Sequence, residues 1–255
     1  MNVRGDKRFR QVGLDRPVRL YWMERTVTLL QSGLDDSEIK RTLQAEMEPY
    51  FQSDANTSRG SLDKTITVLM RIWVRTPQPV TGLRGRAVEL LPNLAEEERI
   101  AVHWGMTMAV YPFWGSVALS AGRLLRLQGR ASARQVQLRL REQYGQRETV
   151  SRRARYVLRS YHDWGVLRES GKRGVYVQGS VLPVAREDLT AWLVEALLLS
   201  VPDGRASWSS IKSSQRLFPF RLETVSAVHA LGSTASLEIV RHALDDELVA
   251  LRRDE

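Results

Sequence analysis

The stretch SARQVQLRLREQYGQRETVSRRARYVLRSYHDWGVLRESGKRGVYVQ, residues 132–178, decides the reading of this chain. Ser132 is placed to cap a helix running to about Tyr144, with Val136, Leu138, Leu140 and Tyr144 as apolar positions. Gly145 ends it, as glycine commonly does just past a helix C-terminus. Gln146-Arg147-Glu148 reads as a short turn, and Thr149 or Ser151 as the cap of the next helix. There Val150, Ala154, Val157, Leu158, Tyr161 and Trp164 form one apolar stripe at helical period. The opposite face presents Ser151, Arg152, Arg155 and Arg159, with Arg153 and Tyr156 on its flank. Gly165 stops the helix. Val166–Glu169 and Val175–Gln178 are strand-like, joined by the glycine-bounded basic turn Ser170-Gly-Lys-Arg-Gly174.

Helix, tight turn, Arg-faced helix and basic hairpin follow one another in the order of a winged helix-turn-helix. The same region carries the charge. Residues 119–180 hold 14 Lys+Arg against 4 Asp+Glu, whereas the rest of the chain holds 24 against 25. A basic excess confined to one segment is a polyanion footprint, because each cation that meets a phosphate releases a condensed counterion. Thirteen of the fourteen cations are Arg, whose planar fork suits phosphate and guanine edges. The expected contacts are Arg152, Arg153, Arg155 and Arg159 on the helix and Lys172 and Arg173 at the hairpin tip. Arg134 and Arg139 on the preceding helix are expected to touch flanking phosphates, and Ser151 to donate to a phosphate at the helix N-terminus. Double-stranded DNA is favoured over RNA, since the paired aromatics of an RNA-recognition sheet and the glycine loop of a KH module are missing. Winged helices also dock proteins, so two alternatives stand. One is an adaptor whose basic face meets an acidic partner; the other is a transcriptional regulator with two-fold half-sites.

The chain of 255 residues is 43% hydrophobic with net charge +9, enough for a sizeable core and several small units. It has no Cys, which excludes disulfides, thiolate metal sites and Cys nucleophiles and fits a cytoplasmic protein. Residues 1–16, with Arg4, Lys7, Arg8 and Arg10, read as a basic flexible arm rather than a signal peptide. Residues 17–75 read as a helical, helix-turn-helix-like bundle. Its helices are Pro17–Ser32, Glu38–Glu48 capped by Asp36 or Ser37, and Leu62–Val74 begun by Ser61, with a loop at 49–60. Thr76–Gly82 is a linker, followed by a short helix over about Leu83–Leu91. Residues 83–128 form a central helical region. Within it Ile100–Gly122 lacks formal charge and is long enough to span a membrane. Pro112 divides that run, giving helices at Ala95–Tyr111 and Phe113–Leu127, so a buried hairpin and no membrane partner are expected.

After the basic unit at 129–180, residues 186–255 read as a second helix–hairpin module. Arg186–Val201 is an apolar helix, Ser207 caps a short one, and Glu223–Leu231 is a third ended by Gly232. Leu237–Arg241 and Leu248–Arg252, separated by Leu244–Glu247, read as a second hairpin or a terminal helix, with the Asp-Asp-Glu turn and Ile239-Val240 favouring the hairpin. Acidic residues outnumber basic ones in this second copy, which suits protein contact or packing. Enzyme signatures are missing. The four His, at 103, 162, 229 and 242, lack metal-ligand spacing, and no cofactor is expected. No Walker loop or nucleophile elbow occurs, and the carboxylate clusters sit at caps and turns. His103, in an apolar helix, is read as a core residue.

Three stretches together resemble the BrxA family of BREX phage-defence proteins. They are Ser61-Leu-Asp-Lys-Thr-Ile-Thr-Val-Leu-Met-Arg-Ile-Trp73, the Leu91-Pro-Asn-Leu94 to Trp114 region, and Thr149-Val-Ser-Arg-Arg-Ala-Arg-Tyr-Val-Leu-Arg-Ser-Tyr-His-Asp-Trp-Gly-Val-Leu167 with the hairpin after it. The resemblance covers roughly residues 17–180. It implies a mainly helical, non-enzymatic DNA-binding component of a bacterial anti-phage system, working beside a methyltransferase, an ATPase and a phosphatase-like protein. This chain is longer at its C-terminus than the resemblance accounts for.

Overall fold

Some helix starts in this chain are set by side-chain caps. Asp35 accepts hydrogen bonds from the backbone N–H groups of Ser37 and Glu38, and the Glu38 carboxylate accepts from the Asp35 N–H in return. This reciprocal cap opens α2 (Asp36–Met47), whose Ile39, Leu43 and Met47 turn inward every fourth residue. The cap is thus Asp35, one residue before Asp36 and two before Ser37. The computed structural model describes residues 6–51, 58–224, 226–231, 234–243 and 246–252. Arg4, the loop at 52–57, Gly232 and the Leu244-Asp245 part of the expected turn lie outside the described residues.

The N-terminal part comprises α1 (Leu20–Gln31), α2 and α3 (Ser58–Trp73). A short α4 (Thr81–Leu90) leads to α5 (Glu96–Val110) and α6 (Pro112–Gln128). Pro112 opens α6, because a residue without an N–H fits the first helical turn and not the interior. The uncharged run is core. Every residue from Ile100 to Ala118 is buried, and no described helix is long and apolar enough to cross a membrane.

What covers α5 is α9 (Glu187–Leu199), itself buried from Leu189 through Leu199. The two approach closely because position 105 lacks a side chain: a Cβ there would lie 2.4 Å from the Trp192 ring and 3.0 Å from Ala196. The Trp192 indole donates to the Leu83 carbonyl at 3.0 Å, tying α4 to the pair. Glu195, nearly buried, is held by Arg86 and by the Ser236 hydroxyl at 2.6 Å.

Between α6 and α9 lie β1 (Ala131–Ser132), α7 (Ala133–Tyr144), α8 (Glu148–Asp163), β2 (Leu167–Glu169), β3 (Val175–Gln178) and β4 (Leu182–Val184). β3 is the middle strand of a sheet ordered β1-β3-β2, antiparallel throughout, with Ala131 opposite Tyr176 and Arg168 opposite Val177. Farther along are β5 (Arg205–Ser207), α10 (Trp208–Lys212), β6 (Phe220–Leu222), α11 (Ala227–Leu231), β7 (Leu237–Ala243) and β8 (Asp246–Leu251). Their sheet is ordered β5-β8-β7, so the first, last and middle strands are arranged as in the basic unit. The hairpin expected near 237–252 is β7–β8, with a bulge between Arg241 and Ala243. β6 pairs in parallel with β4. The helix expected over Glu223–Leu231 begins only at Ala227, and Glu223 is still held to β4, its N–H donating to the Val184 carbonyl at 3.1 Å.

An aromatic cluster joins the layers. Trp104 of α5 stacks on Tyr161 of α8 at 4.7 Å and meets Trp114, Trp164, Phe218 and Phe220 edge-on. Tyr161 donates to the Trp114 carbonyl at 2.7 Å, and burial pushes its phenol well up. His103 is buried as expected, with Nε2 2.9 Å from Glu24 of α1.

Candidate nucleic-acid interface

The apolar stripe decides how α8 lies. Val150, Ala154, Val157, Leu158 and Tyr161 are fully buried and Trp164 nearly so, with its indole donating to the Val18 carbonyl at 3.0 Å. Burying that stripe turns Arg152, Arg155 and Arg159 outward, about one helical turn apart. Among the described residues no carboxylate pairs with any of the three. α7 supports α8 and begins at a reciprocal cap between Ser132 and Gln135.

Two expectations about α8 change. Neither Thr149 nor Ser151 is its cap: the helix starts at Glu148, the cap position is Arg147, and no side chain bonds there. Ser151 is the fourth residue of the helix, at the end of its first turn, and is half-buried. Arg153 also leaves the set of outward cations. It donates to the Val12 carbonyl and pairs with Asp15, so its charge is used within the fold.

That contact belongs to a larger correction. Residues 6–16 are not a flexible arm, since Val12 and Leu14 are buried and Arg8 is only 3% exposed. Arg8 is held by Asp6 at 2.7 Å and donates to the Ala109 carbonyl at 2.5 Å. The segment then runs along α8, where the Val18 N–H donates to the Ser160 hydroxyl at 2.9 Å. Leu138, expected to be apolar core, is 54% exposed, because Val136 and Leu140 already occupy the inward face of α7.

Residues of the segment and of α8 line one cleft of about 880 Å3. From α8 come Arg152, Arg155, Tyr156 and Arg159, and from the β2–β3 hairpin Arg173 and Tyr176. Arg16, Arg19, Trp22, Tyr50 and Ser61 line it too. Arg16 donates to the Ser61 hydroxyl at 2.9 Å, and its guanidinium lies 5.8 Å from the Tyr156 ring centre. Six arginines line the cleft against two carboxylates, Asp163 and Glu169. Both acids are engaged: Asp163 accepts from the Leu20 N–H at 3.2 Å and lies 4.0 Å from Arg19, and Glu169 accepts from the Gly174 N–H at 3.4 Å. Burial raises the Tyr176 phenol, Glu169 adds to the rise, and Arg159 opposes both.

Of the expected contacts, the cleft brings together Arg152, Arg155, Arg159 and Arg173. Lys172 is exposed on the hairpin turn, Arg134 is exposed at the start of α7, and Arg139 is half-buried farther along it; none lines the cleft. Sequence reasoning missed Arg16, Arg19 and Tyr50. The single signal available for the first two was their flanking of Pro17-Val18, which marks an extended stretch and says nothing of what it packs on. Among the described residues no three of His, Cys, Asp and Glu come together as a metal site. No protein-family model matches the chain, and no curated protein and no solved structure is similar to it.

Proposed function

We propose that this protein binds double-stranded DNA, without catalysing a reaction on it, through a winged helix-turn-helix formed by α6 to β3. The element order helix–strand–helix–helix–strand–strand and the β1-β3-β2 sheet support this reading. The observation that carries it is the row of Arg152, Arg155 and Arg159, unpaired by any described carboxylate and backed by a fully packed stripe. Such a row meets successive phosphates at little ordering cost, since the helix is already rigid. Lys172 and Arg173 at the wing and Arg134 at the start of α7 extend the basic face for a duplex lying across it. The resemblance to the BrxA family supports a setting in bacterial anti-phage defence beside other proteins of that system.

The test is a salt series of duplex binding by fluorescence anisotropy, using short duplexes of unrelated sequence. If Arg152, Arg155, Arg159 and Arg173 each neutralise a phosphate, log K falls with log salt at a slope of about −3 to −4. Equal affinity across sequences separates a general DNA binder from a site-specific regulator. No binding at low salt overturns the reading and assigns the basic face to an acidic protein partner.

A further inference from the structure

We propose that the cleft between α8 and the residue 16–19 segment takes an unpaired DNA strand that continues from the duplex held by the winged unit. The inference rests on the DNA-binding reading and narrows its substrate to duplex with a single-stranded extension.

Size comes first. The arginines of α8 that take a duplex backbone from outside also line, with Arg16, Arg19, Tyr50 and Ser61, a cleft too small to admit the duplex itself. A cleft of about 880 Å3 lies in the range that encloses small organic ligands, which suits one or two nucleotides.

Charge and rings come next. Arginines from α8 and from the segment can follow one phosphodiester chain, and the two carboxylates are occupied by Arg19, the Leu20 N–H and the Gly174 N–H. Strands without sequence preference are held by such a basic channel combined with aromatic rings on which bases stack. Tyr50 supplies a ring that is 65% exposed, set edge-on against Trp22 at 5.4 Å. An exposed tyrosine in a 3-10 turn has no packing duty for its outer face, and this one borders the cleft. The Tyr156 ring in the same cleft is already covered by the Arg16 guanidinium, 5.8 Å from its centre, which leaves Tyr50 as the stacking ring.

The experiment uses the full chain and anisotropy at one salt concentration. Four probes are compared: a blunt duplex, the same duplex with a short oligothymidine tail, the tail alone, and an oligouridine of the same length. The tailed duplex is expected to bind roughly tenfold tighter than the blunt one, as one stacked base allows. Tyr50→Ala with Arg16→Gln is expected to bring the tailed duplex down to the affinity of the blunt one, the two being compared within the same variant and melting temperature checked in parallel. A tail that adds nothing, or a gain that survives the double variant, overturns the inference. Tighter binding of the oligouridine overturns the assignment to DNA. Binding of tail but not of blunt duplex supports the cleft and removes the duplex reading, so the two failures are told apart.

Discussion

Neighbouring arginines on one helix do different work, and single substitutions separate them. Arg152 and Arg155 face solvent without a described carboxylate partner, so Arg152→Glu with Arg155→Glu is expected to abolish DNA binding and leave the melting temperature unchanged. Unchanged affinity in anisotropy would remove α8 from the interface. Arg153 is tied to Asp15 and the Val12 carbonyl, so Arg153→Ala is expected to lower the melting temperature and to weaken binding only slightly. The sequence placed these side chains on adjacent positions of a helix, but the pairing of Arg153 lies 138 residues away along the chain and leaves no local mark. Glu24 gives a pH prediction. Burial pushes its carboxyl up, but the hydrogen bond to His103 and the Arg99 charge outweigh this and hold it below the usual 4.5. A carboxylate lowered on folding stabilises above its unfolded pKa, and that stabilisation disappears as pH falls through the folded value. Glu24→Gln is therefore expected to flatten the acid side of a melting temperature against pH curve; a curve parallel to the parent's contradicts the assignment.

Elements with a long apolar period were legible and short ones were not. The stripe of α8 and the inward Ile39, Leu43 and Met47 of α2 follow directly from spacing. Strands β1, β4, β5 and β6 are two or three residues long and owe their existence to partners elsewhere in the chain, so no local pattern marks them. The cleft was invisible for the same reason, since part of its lining is an extended segment with no period of its own. Burial of the stripe sets a magnitude: Leu158→Ala is expected to cost about 2–5 kcal/mol and Trp164→Ala about 3–5 kcal/mol, measured by denaturant unfolding. Gly105→Ala fills the contact between α5 and α9, where the new Cβ would lie 2.4 Å from the Trp192 ring. The expected loss is about 1–3 kcal/mol, recovered in part by shortening Trp192 in the same chain.

Across the molecule, two units of like strand order share one interior, although charge patterning distinguishes them: one basic, the other not. Sequence alone separates them at residues 181–185, yet α9 covers α5 and Phe218 and Phe220 close on Trp104. A chain ending at Gly179 is thus expected to lose cooperative thermal unfolding and to bind an apolar dye, because Trp104 and the α5 face are uncovered. A sharp melt from that fragment would show an autonomous N-terminal domain. The parallel pairing of β4 with β6 carries this one step further. Residues 179–181 alone separate β3 from β4, so the strand leaving the hairpin is spliced within a few residues into the second unit. Any load that tilts the second unit pulls on the root of the hairpin, in the manner of a lever whose far end carries Lys172 and Arg173. A displacement of the second unit would thereby reach the hairpin that carries Lys172 and Arg173.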